Sequence, residues 1–117
     1  MPEPIGDVWT TTVTDADGES LSGASAALRG RLVGVITPSG WDTQAMTFQV
    51  SHDGTNYTNL YNEGTEYSIA GVVASAYNRV DAAMFFGARA VKVRSGTAGT
   101  PANQSGAVIL TLVCWSL

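Results

Sequence analysis

The chain has 117 residues, 44% of them hydrophobic and only 14% charged, with a net charge of −4. That length suits one domain, burying about two-thirds of its unfolded surface around a single core. One lysine (Lys92) and five scattered arginines make no basic stripe, which argues against nucleic acid as a partner.

Residues 1–7 carry no core pattern. Pro2 and Pro4 flank Glu3, with Ile5 following, which suits an extended arm ahead of one domain over 8–117. Neither a basic leader nor an apolar signal core precedes the fold, so synthesis in a reducing cytoplasm without export is expected. No stretch approaches the ~20 apolar residues of a membrane helix, and no membrane partner is expected. The first strand is read at 8–14. Asp15, Asp17 and Glu19 then offer three carboxylates around Gly18, the oxygen chemistry that calcium takes. The spacing lacks the length of an EF-hand loop, and a plain Asp-Gly turn explains it. Residues 22–28 are small enough for a turn of helix, and a second strand is read at 29–36.

The clearest signal lies at 46–61. Met46, Phe48 and Val50 alternate with polar residues at the period of two that buries one strand face. Ser51-His52-Asp53-Gly54 then reverses the chain, since Gly reaches positive φ cheaply and Asp bonds its own backbone. Tyr57, Leu60 and Tyr61 resume the pattern, giving strands at 45–51 and 57–61. Further strands are read at 66–69, 77–81, 89–94 and 107–115, and residues 82–86 as a short helical turn capped by Asp81. The last strand is apolar except for Thr111, the pattern of a central strand covered on both faces. Short strands between turn signals indicate an all-β antiparallel sandwich or barrel.

Little in the chain carries catalytic chemistry. A nucleophile–base pair would need His52, the only histidine, and it sits in a tight turn. The acidic pairs Asp15/Asp17 and Glu63/Glu66 also flank turns. No catalytic residue, cofactor or metal site is therefore expected. Cys114 lies in an apolar run and reads as a small buried hydrophobe. Trp41, in a loop after Gly40, and Tyr57, Tyr61, Tyr67 and Tyr77 could form a sugar-binding platform. The alternative is that their rings close the open ends of the sandwich with hydroxyls in water.

Two motifs, Phe48-Gln-Val-Ser-His-Asp-Gly-Thr-Asn-Tyr57 and Phe86-Gly-Ala-Arg-Ala-Val-Lys-Val-Arg94, resemble a pair found in galactose-binding-like, discoidin-type jelly rolls. Ala90 stands where a tyrosine is usual. A fuller pattern is similar to small proteins encoded among the structural genes of tailed bacteriophages. It comprises Ser20-Leu-Ser-Gly23, Arg31-Leu-Val-Gly-Val-Ile-Thr-Pro38, the stretch from Trp41 to Gly54 and that from Val93 to Gln104. The resemblance implies a jelly-roll sandwich of about eight strands and a virion component of head decoration or cement type. The expected partners are the major capsid protein and further copies of the chain, with a trimer as the natural guess. A low charge fraction fits a surface hidden against other subunits. Contact would fall on the arm (Pro2, Pro4, Ile5), on Trp41, and on the 96–106 loop (Thr97, Pro101, Asn103). The alternative is a carbohydrate-binding, tail, neck or fibre module, for which a glycan is a possible partner.

Overall fold

Alternating apolar and polar side chains leave each strand one face to bury, and two such sheets laid together close a core. The computed structural model describes residues 6–116 and is an antiparallel β-sandwich, half strand and 4% helical. Its strands are β1 (Asp7–Asp15), β2 (Arg31–Ile36), β3 (Gln44–Ser51), β4 (Thr58–Asn59), β5 (Tyr61–Asn62), β6 (Thr65–Glu66), β7 (Ser68–Val72), β8 (Tyr77–Arg79), β9 (Ala90–Ser95) and β10 (Val108–Ser116). One sheet has the order β1-β10-β2-β8. In the other, β9 runs along one side of β3, and β7 and β4 share its other side. Asp7, assigned to the arm on sequence, already pairs with Ser116.

The core is built where the inner faces meet. Val13, Leu32, Val35, Leu110, Leu112 and Cys114 come from the first sheet, and Met46, Phe48, Val72, Val91 and Val93 from the second. Phe48 meets Phe85 edge-on at 5.2 Å between ring centroids, and Tyr67 stacks on Phe48 at 6.0 Å. Leu32 and Val35 both reach the core although they stand three positions apart, an odd spacing. A bulge makes this possible: the register against β10 shifts between Val113 and Cys114, so Gly34 and Leu32 oppose consecutive residues.

Two expected strands are broken in the structure. The stretch 57–61 divides at Leu60, which turns into the core and is fixed by its N–H on the Phe48 carbonyl. The strand expected at 66–69 divides at Tyr67, which lies between β6 and β7 and whose N–H bonds the Leu60 carbonyl. Glu63 and Gly64, both at positive φ (52° and 81°), close the β5–β6 hairpin as the two-residue primed turn requires.

Residues 22–28 form no helix. They run beside β9 and seal its edge: the N–H groups of Ser22, Ser25 and Leu28 bond the carbonyls of Val93, Val91 and Arg89. In return the Ser22 and Ser25 hydroxyls accept from the N–H groups of Val93 and Val91, at 2.9 and 3.0 Å. The expected short turn at 82–86 is present as a 3₁₀ turn over Ala82–Phe85, and the Asp81 carboxylate accepts from Ala83 N–H.

The expectation that both faces of 107–115 are covered fails at Ile109, which is 58% exposed. On the same outer face, Gly34 leaves room for the Tyr77 ring to lie across β2, where a Cβ would collide with that ring. Gly34→Ala is expected to lower stability by about 1–3 kcal/mol. A urea titration checks this, with Tyr77→Ala in the same background restoring part of the loss.

Candidate interaction surface

Two of the three expected contact elements converge. The carbonyl of the Gln104 side chain accepts from Asp42 N–H at 2.6 Å, while its amide donates to the Asp42 carbonyl and the Ser95 hydroxyl. Asp42 answers by accepting from Ser105 N–H at 2.7 Å. The loop after Trp41 and the 96–106 loop are thereby locked together. Thr97 and Thr100 close the second loop, with Thr97 N–H on the Thr100 carbonyl and Thr100 N–H on the Thr97 hydroxyl. Gly96, at φ 87°, lies too close to the Thr100 carbonyl for any side chain. Thr97 is half-buried, and Pro101 and Asn103 are exposed.

Trp41 is placed differently from the expectation. It is 3% exposed, packs in the core, and donates its indole N–H to the Val72 carbonyl at 2.9 Å. An aromatic side chain fills a core gap well when its N–H finds a partner. The residue anchors its loop from below and offers no stacking platform. Pro2, Pro4 and Ile5 lie outside the described residues. The chain enters the fold at Gly6, beside Trp115 and Ser116, while the locked loops lie near the Asp15–Val108 end of the β1–β10 pair. Those ends are roughly 27 Å apart along β1. The base of the arm and the loops therefore do not form one patch.

A surface that the sequence reading passed over lies between them, on the outer face of the four-stranded sheet. Strand register sets out its rows: Thr14 with Ile109; Thr12 with Thr111, Ile36 and Tyr77; Thr10 with Val113, Gly34 and Arg79; and Val8 with Trp115 and Arg31. Val8, Ile109 and Tyr77 are all at least half exposed, and Ile36 is partly so. The rows hold two arginines and no carboxylate. The Arg31 guanidinium lies over the exposed Phe86 ring, 4.6 Å from its centroid, and faces Trp115 at 5.9 Å. The signal for this face was the run Val8-x-Thr10-x-Thr12-x-Thr14, whose outward members are threonines rather than charged residues.

Polar groups elsewhere serve the fold. Asp53 accepts from Ser51, Thr55 and Asn56 in its turn, and those bonds, led by the Asn56 backbone N–H, hold its carboxyl well below the usual range. The His52 ring is exposed and stands 4.0 Å from Asp53. Burial pushes the Cys114 thiol up to about 11, so its nucleophilic form is scarce at neutral pH. Arg94, buried, pairs with Glu66 at 3.4 Å and donates to Asn59 at 2.9 Å. Asp15 is buried with no hydrogen-bond partner for either oxygen, and burial, with Glu19 nearby, raises its carboxyl to about 6. Among the described residues no three His, Cys, Asp or Glu side chains gather as metal ligands, and no helix is long and apolar enough to cross a membrane. No protein-family model matches the chain, nor does any curated protein or solved structure.

Proposed function

We propose that this chain is a non-enzymatic structural protein that works by surface contact, as a decoration or cement protein on a bacteriophage head. The observation that carries the contact role is the outer face of the four-stranded sheet. It is broad, apolar and threonine-rich, and it lacks carboxylates on a protein of net charge −4. Exposed apolar area of this kind marks interaction sites. The two arginines in its rows favour a neutral or acidic partner surface, and the locked 42–105 loops add a rigid polar rim beside it. The virion assignment, the capsid as partner and the jelly-roll connectivity rest on the sequence resemblance alone. The sugar-binding alternative loses its main candidate, because Trp41 is buried.

The test is the copy number of the chain in purified virions of the phage that encodes it, by quantitative mass spectrometry against the major capsid protein. Copies in the hundreds support the proposal. A count near a dozen moves the protein to the neck, tail or a fibre, and absence from the particle overturns the virion reading.

A further inference from the structure

Strand edges are where a sheet protein meets other chains, because each carries a row of unpaired N–H and C=O groups. Among the described residues the sheet edges are blunted with one exception. The β9 edge is sealed by Ser22, Ser25 and Leu28. The outer strands β4 and β8 have two and three residues, and β7 is short and interrupted by Gly71 at φ 61°. At the remaining edge stands β1, nine residues long, with no proline or lysine in it.

Which groups β1 presents follows from its register. The Thr14 carbonyl accepts from Gly23 N–H, so Thr14 faces away from β10. On the far side of β10, Thr111 pairs with Ile36, and Val33 and Thr37 bond toward β8, which turns Ile36 toward Thr111. Thr111 therefore turns its backbone toward β2, and Thr12, its other partner, turns its own outward. By the same alternation Thr10 and Val8 face outward too. No charged residue lies between Asp7 and Asp15 on this edge.

We propose that the β1 edge pairs antiparallel with β1 of a second copy, with Thr10 on the two-fold axis, joining two four-stranded sheets into one. The inference concerns the chain in solution and stands apart from the virion reading. Only even-numbered residues face out, so the axis falls on a residue and not between two, and Thr10, Thr11 and Thr12 are the central choices that keep most of β1 paired. Placing it on Thr11 or Thr12 drives the second strand into Gly23, which already occupies Thr14, and Thr11 also sets Asp7 against Asp15. The Thr10 register avoids the acid pair and sets only Gly6, which precedes β1, opposite Thr14. It pairs Val8 with Thr12 and Asp7 with Val13, and forms roughly six main-chain hydrogen bonds. On the inner side it brings the two half-buried Trp9 rings into diagonal reach across the axis. Such an interface is isologous and closes at two copies, so it opposes the trimer expected from resemblance.

Sedimentation equilibrium of the full chain at about 100 µM tests the proposal. The expected mass is twice 12.2 kDa. Thr10→Pro removes an outward N–H without breaking the β1–β10 ladder, a position where an edge strand tolerates proline. It should halve the mass while leaving near-UV circular dichroism unchanged. Should that variant misfold, Thr10→Lys asks the same question by placing two charges on the axis. Register is read by Thr10→Cys, whose partner Cα would lie about 5.5 Å away, within disulfide reach. Mild oxidation should give a covalent dimer with this variant and none with Thr12→Cys. A monomeric or trimeric parent overturns the proposal, as does a dimer that survives both Thr10 substitutions or fails to cross-link through Thr10→Cys.

Discussion

Asp15→Asn is expected to raise the unfolding free energy at pH 8 by about 1–3 kcal/mol and to flatten its dependence on pH between about 4 and 6. The parent carboxyl is buried with neither oxygen hydrogen-bonded, and its value rises from 3.8 to about 6. A raised value means that the neutral form favours folding. That contribution is complete below about pH 4 and is lost as pH rises through 6. At about 1.4 kcal/mol for each factor of ten in proton affinity, the whole effect is at most ~3 kcal/mol. Asn keeps the shape and removes the charge. Urea titrations of both proteins at pH 4.5, 6 and 8 provide the measurement, and equal stability at pH 8 would sink the prediction. Asp53 acts in the opposite sense. Its lowered carboxyl stabilises above the ordinary carboxylate range, and that support fades only in stronger acid.

Glu66→Ala should work the other way and cost about 3 kcal/mol at neutral pH. The Glu66 and Arg94 side chains are 15% and 9% exposed, so removing the carboxylate strands a guanidinium in the sandwich with Asn59 as its remaining named partner. Glu66 also accepts the Ala98 N–H, so its loss loosens the 96–106 loop from the β5–β6 hairpin. The double variant Glu66→Ala with Arg94→Met tests the cause. Restoring much of the loss by removing the stranded charge would identify desolvation, whereas additive losses would assign the cost to packing. Proteolysis within the 96–106 loop should quicken in the single variant before global unfolding does.

The parts legible in sequence were those with a local cause. Met46, Phe48 and Val50 alternate because one side of β3 faces the core, and Asp53-Gly54 turns the chain by bonds to its own neighbours. Asp81 caps its short turn for the same reason. Contacts between distant residues were not legible. Ser22-Gly-Ala-Ser-Ala-Ala-Leu28 shows neither strand nor helix period, since its place is fixed by hydroxyls reaching β9 about seventy residues later. Gln104 looks like any loop residue until it meets Asp42, 62 positions away. Trp41 reads as part of a contact loop because glycine and proline precede it, which leaves its burial open, and its ring enters the core. In 107–115, the continuous apolar pattern hid the open outer face, because Ile109 is as hydrophobic as its buried neighbours.

The pairing of β1 with β10 sets the order in which the molecule can come into being. Asp7 meets Ser116 and Asp15 meets Val108, so the earliest strand has no partner until nearly the last residue of the described chain has been made. During synthesis the half-formed sheet holds β2 and β8 with the central place vacant. Loop-closure entropy must be met before these contacts reward it, which makes such long-range pairing slow. The first sheet thus cannot close until β10 has been made. Until β10 arrives, β1 is open along both sides, and crowded nascent chains would meet there first.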